Sequence, residues 1–155
     1  MHPKSSRALE YLTAVGSIAL GLFVSAALAP NDSWFWSNLL FYWVPQACVL
    51  SLLCLYEPPR PAAFAGVGLA LAAYLAIFGA WQLSRRHPES MAWLGYLTSL
   101  PGGVVGSFVA LSWLARREKT PGPLAVGSAV AFGVLVGIAA NQALVCSTVM
   151  YCRGE

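Results

Sequence analysis

The sequence predicts an all-α protein, a polytopic membrane bundle of five transmembrane helices, and three observations support this fold class. Apolar residues make up 58% of the 155 residues and charged residues only 10%, whereas soluble domains carry about 25% charged residues. Five apolar runs are each close to the length of about 20 residues with which a helix crosses a bilayer. The connections between them are short, so neighbouring helices should be antiparallel. We expect a single domain over residues 1–155.

Each predicted span is bounded by residues that end a helix or favour water. The predicted spans are residues 9–29, 39–56, 62–83, 91–115 and 124–150. None contains Lys, Arg or Asp, and Glu10 at the edge of the first span is the only acid. An alternative concerns the fourth span. If it is re-entrant or interfacial, with a break at Pro101, the bundle has four spans.

The first run has some features of a signal peptide. It follows two basic residues and ends in Ala27-Leu28-Ala29, which is an A-x-A pattern. The apolar stretch is longer than the h-region of a typical signal peptide, and Pro30 would directly follow the cut. We therefore expect the first run to be retained as a transmembrane helix.

The distribution of basic residues predicts the orientation, because cytoplasmic loops are enriched in Lys and Arg. With a cytoplasmic N-terminus the inner side holds six of them, namely Lys4, Arg7, Arg60, Arg116, Arg117 and Lys119. The outer side then holds three, namely Arg85, Arg86 and Arg153. We expect a multi-pass protein of a bacterial inner membrane with a cytoplasmic N-terminus and a periplasmic C-terminus.

Small residues recur at four-residue spacing in several runs. Such spacing lets helix backbones approach closely in a bilayer. Two interpretations stay open, a dimerisation face and ordinary packing within one bundle. The sets are Ser17, Gly21 and Ser25; Gly68, Ala72, Ala76 and Ala80; Gly102 and Gly106; and Ala129, Gly133 and Gly137.

A few polar residues lie within the predicted spans, and intramembrane polar groups are the default place to seek function. This polar set comprises Gln46, Thr98, Ser99, Asn141 and Gln142. At about 1.5 Å of rise per residue, all five should lie roughly 10 to 14 Å from the same, outer membrane face. Helix breaks are expected at Pro45 and at Pro101-Gly102-Gly103. The set predicts either interhelical hydrogen bonds or a small polar cavity.

Several classes of function are disfavoured by residues that the spans lack. Proton-coupled pumps use deep Asp, Glu or His residues, and the spans contain none. There is no His and Cys cluster with the spacing of a metal site, since His2 is terminal and His87 lies in a connection. We expect no enzyme activity, no metal and no cofactor. The basic residues form no continuous basic face, so we expect no nucleic-acid partner.

Two further features concern the outer side. Cys146 and Cys152 flank the predicted outer end of the fifth span, where an oxidising compartment permits a disulfide. The bridge requires the helix to end between them, because six helical residues rise about 9 Å. Trp34, Phe35 and Trp36 precede the second span. They form either an interfacial anchor or a docking surface for another membrane protein.

Two kinds of function fit these features. The first is protein–protein interaction within the membrane, as an accessory subunit or as an immunity-type protein that blocks a membrane-targeting toxin. The second is a small oligomeric channel or transporter that uses the polar set. The expected partners are the lipid bilayer and either another membrane protein or further copies of this chain.

Overall fold

The computed structural model describes residues 3–55, 60–85, 92–117 and 121–148, and the secondary structure within these ranges is helical. The helices are α1 (Pro3–Leu28), α2 (Phe35–Leu53), α3 (Pro61–Leu83), α4 (Ala92–Ala115) and α5 (Pro123–Thr148). Four stretches are long and apolar enough to cross a membrane, namely Arg7–Leu28, Pro61–Leu83, Trp93–Ala115 and Pro123–Thr148. They indicate a membrane protein. The all-helical bundle agrees with the predicted fold class, and α2 is the helix outside this group of four.

Prolines and one aspartate define where the helices start. Pro61 occupies the first turn of α3 and Pro123 begins α5, positions where the missing amide donor costs no helical hydrogen bond. Between α1 and α2, Oδ1 of Asp32 accepts a hydrogen bond of 2.8 Å from the backbone N–H of Trp34. This local turn directs the chain into α2 at Phe35, four residues before the predicted start of the span.

Helix α3 lies at the centre of the bundle. Its side chains Val67, Leu71 and Leu75 are fully buried, and it contacts all four other helices. The most extensive helix pairs are α4 with α5, α1 with α3, and α3 with α5. Helix α2 makes smaller contacts with α1, α3 and α4. Its apolar residues run around the whole circumference because one part contacts the other helices, while side chains such as Leu69 and Ile77 face outward and are exposed.

The contacts also fix the relative directions of the helices. Gly68 of α3 lies against Ser17 of α1, and Gly79 lies against Leu28, so α1 and α3 are parallel. Gly102 of α4 lies against Gly137 of α5, and Gly106 lies against Gly133, so these two helices are antiparallel. One end of the bundle therefore carries the starts of α1, α3 and α5, and we call it the arginine end after Arg7, Arg60 and Arg116. The opposite end, with residues 29–34 and the end of α3, is the tryptophan end.

The expected helix breaks do not interrupt the helices. Helix α2 continues through Pro45, and α4 continues through Pro101, Gly102 and Gly103. A proline removes one backbone donor, whereas a full break in a bilayer would leave several backbone groups unpaired at several kcal/mol each. The ring of Pro101 is exposed, while both following glycines are buried against α5. Helix α4 is therefore continuous over Ala92–Ala115 and is not divided at Pro101.

Large apolar side chains cover the outside of every helix. Examples are Phe23, Leu40, Ile77, Val109 and Phe132, which are 53–70% exposed. A soluble domain rarely exposes continuous apolar surface on this scale. Lipid tails solvate such side chains, which agrees with the membrane location that the four long helices indicate.

Candidate functional site

The polar set gathers around the first half of α4, which contributes two of its members. Gln46 reaches α4 from α2, and Asn141 and Gln142 reach it from α5. The five residues do not form one group. Gln46 and Ser99 belong to a buried network with three tyrosines, Asn141 bonds the α4 backbone, and Gln142 interacts within its own helix.

The network that contains Ser99 links three helices through hydroxyl groups. Oγ of Ser99 donates to the backbone carbonyl of Tyr96 over 2.6 Å and lies 2.7 Å from the hydroxyl of Tyr74 on α3. Because the serine proton is already used, the Tyr74 hydroxyl is the donor in the second bond. Tyr74 and Tyr96 are also stacked, with 5.5 Å between ring centroids. Ser99 and Tyr96 are completely buried.

A second set of bonds extends this network to α2. The hydroxyl of Tyr96 donates to the backbone carbonyl of Tyr42 over 3.4 Å. The same carbonyl accepts from Nε2 of Gln46 over 3.2 Å, and the Gln46 side chain also interacts with Tyr96. Gly21 of α1 makes room for this amide, since an added Cβ would lie 2.9 Å from Oε1 of Gln46. We call these five residues, Tyr42, Gln46, Tyr74, Tyr96 and Ser99, the tyrosine network.

Asn141 joins α5 to α4 through the backbone. Its Nδ2 donates to the backbone carbonyl of Thr98. The hydroxyl of Thr98 donates to the carbonyl of Gly95 within α4 over 3.2 Å, and the side chain is exposed. Thr98 thus contributes its backbone, rather than its side chain, to the contact between the helices.

Gln142 and Cys146 lie in the last turns of α5, near the tryptophan end. Nε2 of Gln142 is 3.7 Å from Sγ of Cys146, one turn further along α5. Cys146 is disulfide-bonded, and its expected partner Cys152 lies outside the described residues. Oε1 of Gln142 is buried and has no hydrogen-bond partner among the described residues. Cys48 and Cys54 of α2 are free thiols.

The small-residue spacings are used inside this one chain. An added Cβ on Gly106 would overlap the carbonyl oxygen of Gly133, and one on Gly102 would overlap that of Gly137. Gly66 has the same relation to Gly127, between α3 and α5. These close backbone approaches correspond to the packing interpretation, in which small residues bring the helices of one bundle together.

The aromatic triplet at the start of α2 is divided between the core and the surface. Trp34 and Trp36 are 67% and 71% exposed. Phe35 packs against the core and contacts Trp36 edge to face, with 5.3 Å between ring centroids. Two of the three side chains are therefore accessible to a partner or to lipid headgroups, and the third anchors the start of the helix.

Three residues of the network, Tyr42, Tyr74 and Tyr96, were not among the predicted site residues. Tyrosine in a membrane protein is usually interfacial. A prediction based on this rule does not identify tyrosines whose hydroxyl groups form hydrogen bonds inside the bundle. The available signal is spacing, because Tyr42 precedes Gln46 by four residues and Tyr96 precedes Ser99 by three. Such pairs lie on one helix face, so the polar face was already visible on α2 and α4.

Within the described residues, no group of three or more His, Cys, Asp and Glu side chains is placed to hold a metal ion. The side chains of the tyrosine network are amides and hydroxyls. At neutral pH such groups bind through hydrogen bonds and are poor general acids and bases. No protein-family model, curated protein or solved structure matches the chain.

Proposed function

We propose that this protein acts by binding another membrane protein within the bilayer, as an accessory subunit or as an immunity-type protein that protects against a membrane-targeting toxin. The observation that carries the proposal is the use of interior polar groups. Side chains of the tyrosine network form hydrogen bonds with one another and with the backbone of a neighbouring helix. Asn141 donates to the backbone of α4. Groups committed in this way stabilise the bundle and are not free to bind a passing solute.

The exterior offers surfaces that the fold itself does not use. Trp34 and Trp36 project from the tryptophan end, and tryptophan is among the residues most enriched at the energetic centres of protein interfaces. We propose that these two side chains contact the partner. In the predicted orientation they face the periplasm, from which a toxin or a periplasmic domain of a partner would approach.

The buried polar side chains of the described helices are hydroxyls and amides, which are poor general acids and bases, and this supports a binding role over an enzymatic one. Accessory and immunity-type proteins need shaped helical surfaces and few reactive groups. The proposed location is the bacterial inner membrane, with the N-terminus in the cytoplasm and the C-terminus in the periplasm.

A small oligomeric channel or transporter is the alternative, and one observation favours it. Oε1 of Gln142 is buried without a hydrogen-bond partner among the described residues, and a buried amide oxygen of this kind normally finds a donor. A polar solute or a water passing along α5 would supply one.

Native mass spectrometry after mild-detergent extraction from the native host distinguishes the two proposals. A defined heteromer is expected, and the double variant Trp34→Ala with Trp36→Ala should lose most of the bound partner. The control is Leu55→Ala, which removes a side chain that is 74% exposed at the other end of α2. This variant should retain the partner. A homo-oligomer with nothing else bound, together with solute flux in liposomes, would replace the first proposal by the second.

A further inference from the structure

A cleft of about 450 Å³ opens at the arginine end of the bundle, away from the tyrosine network. It lies where three helices begin. Helix α1 contributes its first turns, α3 contributes its start, and α5 contributes its start together with the residues just before it. The lining residues that matter here are Arg7, Glu10, Arg60, Pro61, Pro123 and Val126.

The lining combines positive charge with an apolar floor. Arg7 and Arg60 carry two guanidinium groups, and Glu10 is the one carboxylate among the lining residues. The guanidinium group binds phosphate oxygens through two parallel hydrogen bonds. Pro61, Pro123 and Val126 add apolar surface to the lining. A ligand that fits both parts has an anionic phosphate joined to an apolar body.

The helix ends reinforce the positive charge of the cleft. Helix α3 begins at Pro61, and its N-cap residue Arg60 makes no side-chain capping bond. Helix α5 begins at Pro123. The N-terminal end of a helix carries a partial positive charge from its unpaired backbone N–H groups. Two such ends beside two arginines give the cleft a net attraction for an anion that the single carboxylate of Glu10 only partly offsets.

The position of the cleft along the bundle suggests the source of the anion. It lies at the ends of apolar helices, at the level of Arg116 and Arg117, which follow α4. Basic pockets between transmembrane helices at this level are suited to the headgroups of anionic lipids. A phosphate at this depth would be attached to acyl chains that continue along the apolar outside of α1 and α5.

We propose that the cleft binds the phosphate of an anionic phospholipid headgroup, held by Arg7 and Arg60. The shared chemistry is a phosphate ester, and a soluble phosphate compound is the other possible source. This inference requires the membrane location of the chain but not the partner-binding role proposed above. Bound lipid would join α1, α3 and α5 at the arginine end, and none of the lining residues comes from α2.

The test counts phosphatidylglycerol molecules bound to the full-length protein by native mass spectrometry, with phosphatidylcholine and glycerol phosphate as separate arms. Phosphatidylglycerol is expected to bind best, because it has the net negative charge that phosphatidylcholine lacks. Each arginine near a membrane surface contributes about fivefold to the affinity for anionic lipid. The double variant Arg7→Gln with Arg60→Gln removes two such contributions and should therefore bind roughly 25-fold more weakly.

Two further variants make the test independent of whether the double variant folds. Glu10→Gln removes the opposing charge and should strengthen phosphatidylglycerol binding. Arg117→Gln removes the same charge at the same end, but from a guanidinium that lies 3.8 Å from the ring centroid of Trp113 and outside the cleft. It should leave binding unchanged. Equal losses in the Arg117 and Arg7/Arg60 variants, or no gain from Glu10→Gln, would overturn the proposal. Tighter binding of glycerol phosphate than of phosphatidylglycerol would assign the cleft to a soluble ligand.

Discussion

At the scale of single residues, each hydroxyl and amide in the interior of this bundle needs a hydrogen-bond partner within the protein. Water does not enter a hydrocarbon core, so an unsatisfied polar group there costs several kcal/mol. Ser99 meets this requirement twice, as donor to the Tyr96 carbonyl and as acceptor from Tyr74. The bond between Tyr74 and Ser99 joins α3 directly to α4, two helices that otherwise share few contacts.

A double-mutant cycle measures how much that bond stabilises the bundle. Tyr74→Phe and Ser99→Ala should each lower the free energy of unfolding, and the coupling between them should be about 0.6 kcal/mol and at most about 1.7 kcal/mol. Unfolding in mixed detergent micelles gives the values. The control pairs Tyr11→Phe with Ser99→Ala, because Tyr11 is exposed at the other end of the bundle. Zero coupling for Tyr74 and Ser99 would mean that the bond does not hold α3 to α4.

The candidate site was only partly predictable from the sequence at this scale. Gln46 and Asn141 stand out in the sequence because an amide within an apolar run is costly in a bilayer unless it has a hydrogen-bond partner. The bond from Gln46 to the Tyr42 carbonyl is local, whereas the partner of Asn141 is not encoded locally. Asn141 bonds a backbone carbonyl 43 positions earlier in the chain, and only the packing of α4 on α5 brings the two groups together. The tyrosines were missed because their aromatic rings suit both the interface and the core.

At the scale of helices, glycine determines how closely α4 and α5 approach. Gly106 faces the backbone of Gly133, and Gly102 faces that of Gly137. We call this line of close backbone contacts between α4 and α5 the glycine seam. In lipid there is no hydrophobic driving force between helices, so the van der Waals contact along the seam holds the two helices together. The spacing itself was visible in the sequence, whereas its use within one chain, rather than between chains, depended on the fold.

The variant Gly106→Ala tests the seam with the smallest possible change. Its Cβ would overlap the carbonyl oxygen of Gly133, so α4 and α5 must separate. We expect a loss of about 1 to 3 kcal/mol in the free energy of unfolding, which is the usual cost of overpacking. Gly16→Ala is the matched control, since an added Cβ there meets nothing within 4 Å. A Gly106 variant as stable as the Gly16 variant would show that the two helices pack differently.

The positions of the helices were more predictable than their internal details. The observed α3 and α4 begin within one residue of the predicted spans and end where those spans end. The prolines misled the prediction, because Pro45 and Pro101 were interpreted as breaks. In water a helix loses little by ending at proline, whereas in a bilayer the alternative conformations are worse. Local sequence rules derived from soluble helices therefore overestimate breaks in these two helices.

At the scale of the whole molecule, large apolar side chains cover the outside, and the core combines apolar side chains with a few buried polar groups. This arrangement, with α3 at the centre, suits a bundle dissolved in lipid. The arginine end and the tryptophan end then lie at the two membrane surfaces, and the proposed lipid and partner contacts lie on opposite sides. All of this requires that α2 crosses the bilayer together with the four helices that are long and apolar enough to span it, a group that does not include α2.

The most direct test is therefore the accessibility of single cysteines on the two sides of α2. In a background without the four native cysteines, Asp32→Cys and Arg60→Cys flank this helix. A membrane-impermeant thiol reagent added to intact cells should label Cys at position 32 and should reach position 60 only after permeabilisation. Labelling of both positions from the same side would show that α2 does not cross, and would contradict the five-span bundle. Labelling of position 60 alone would keep five spans and reverse the predicted orientation.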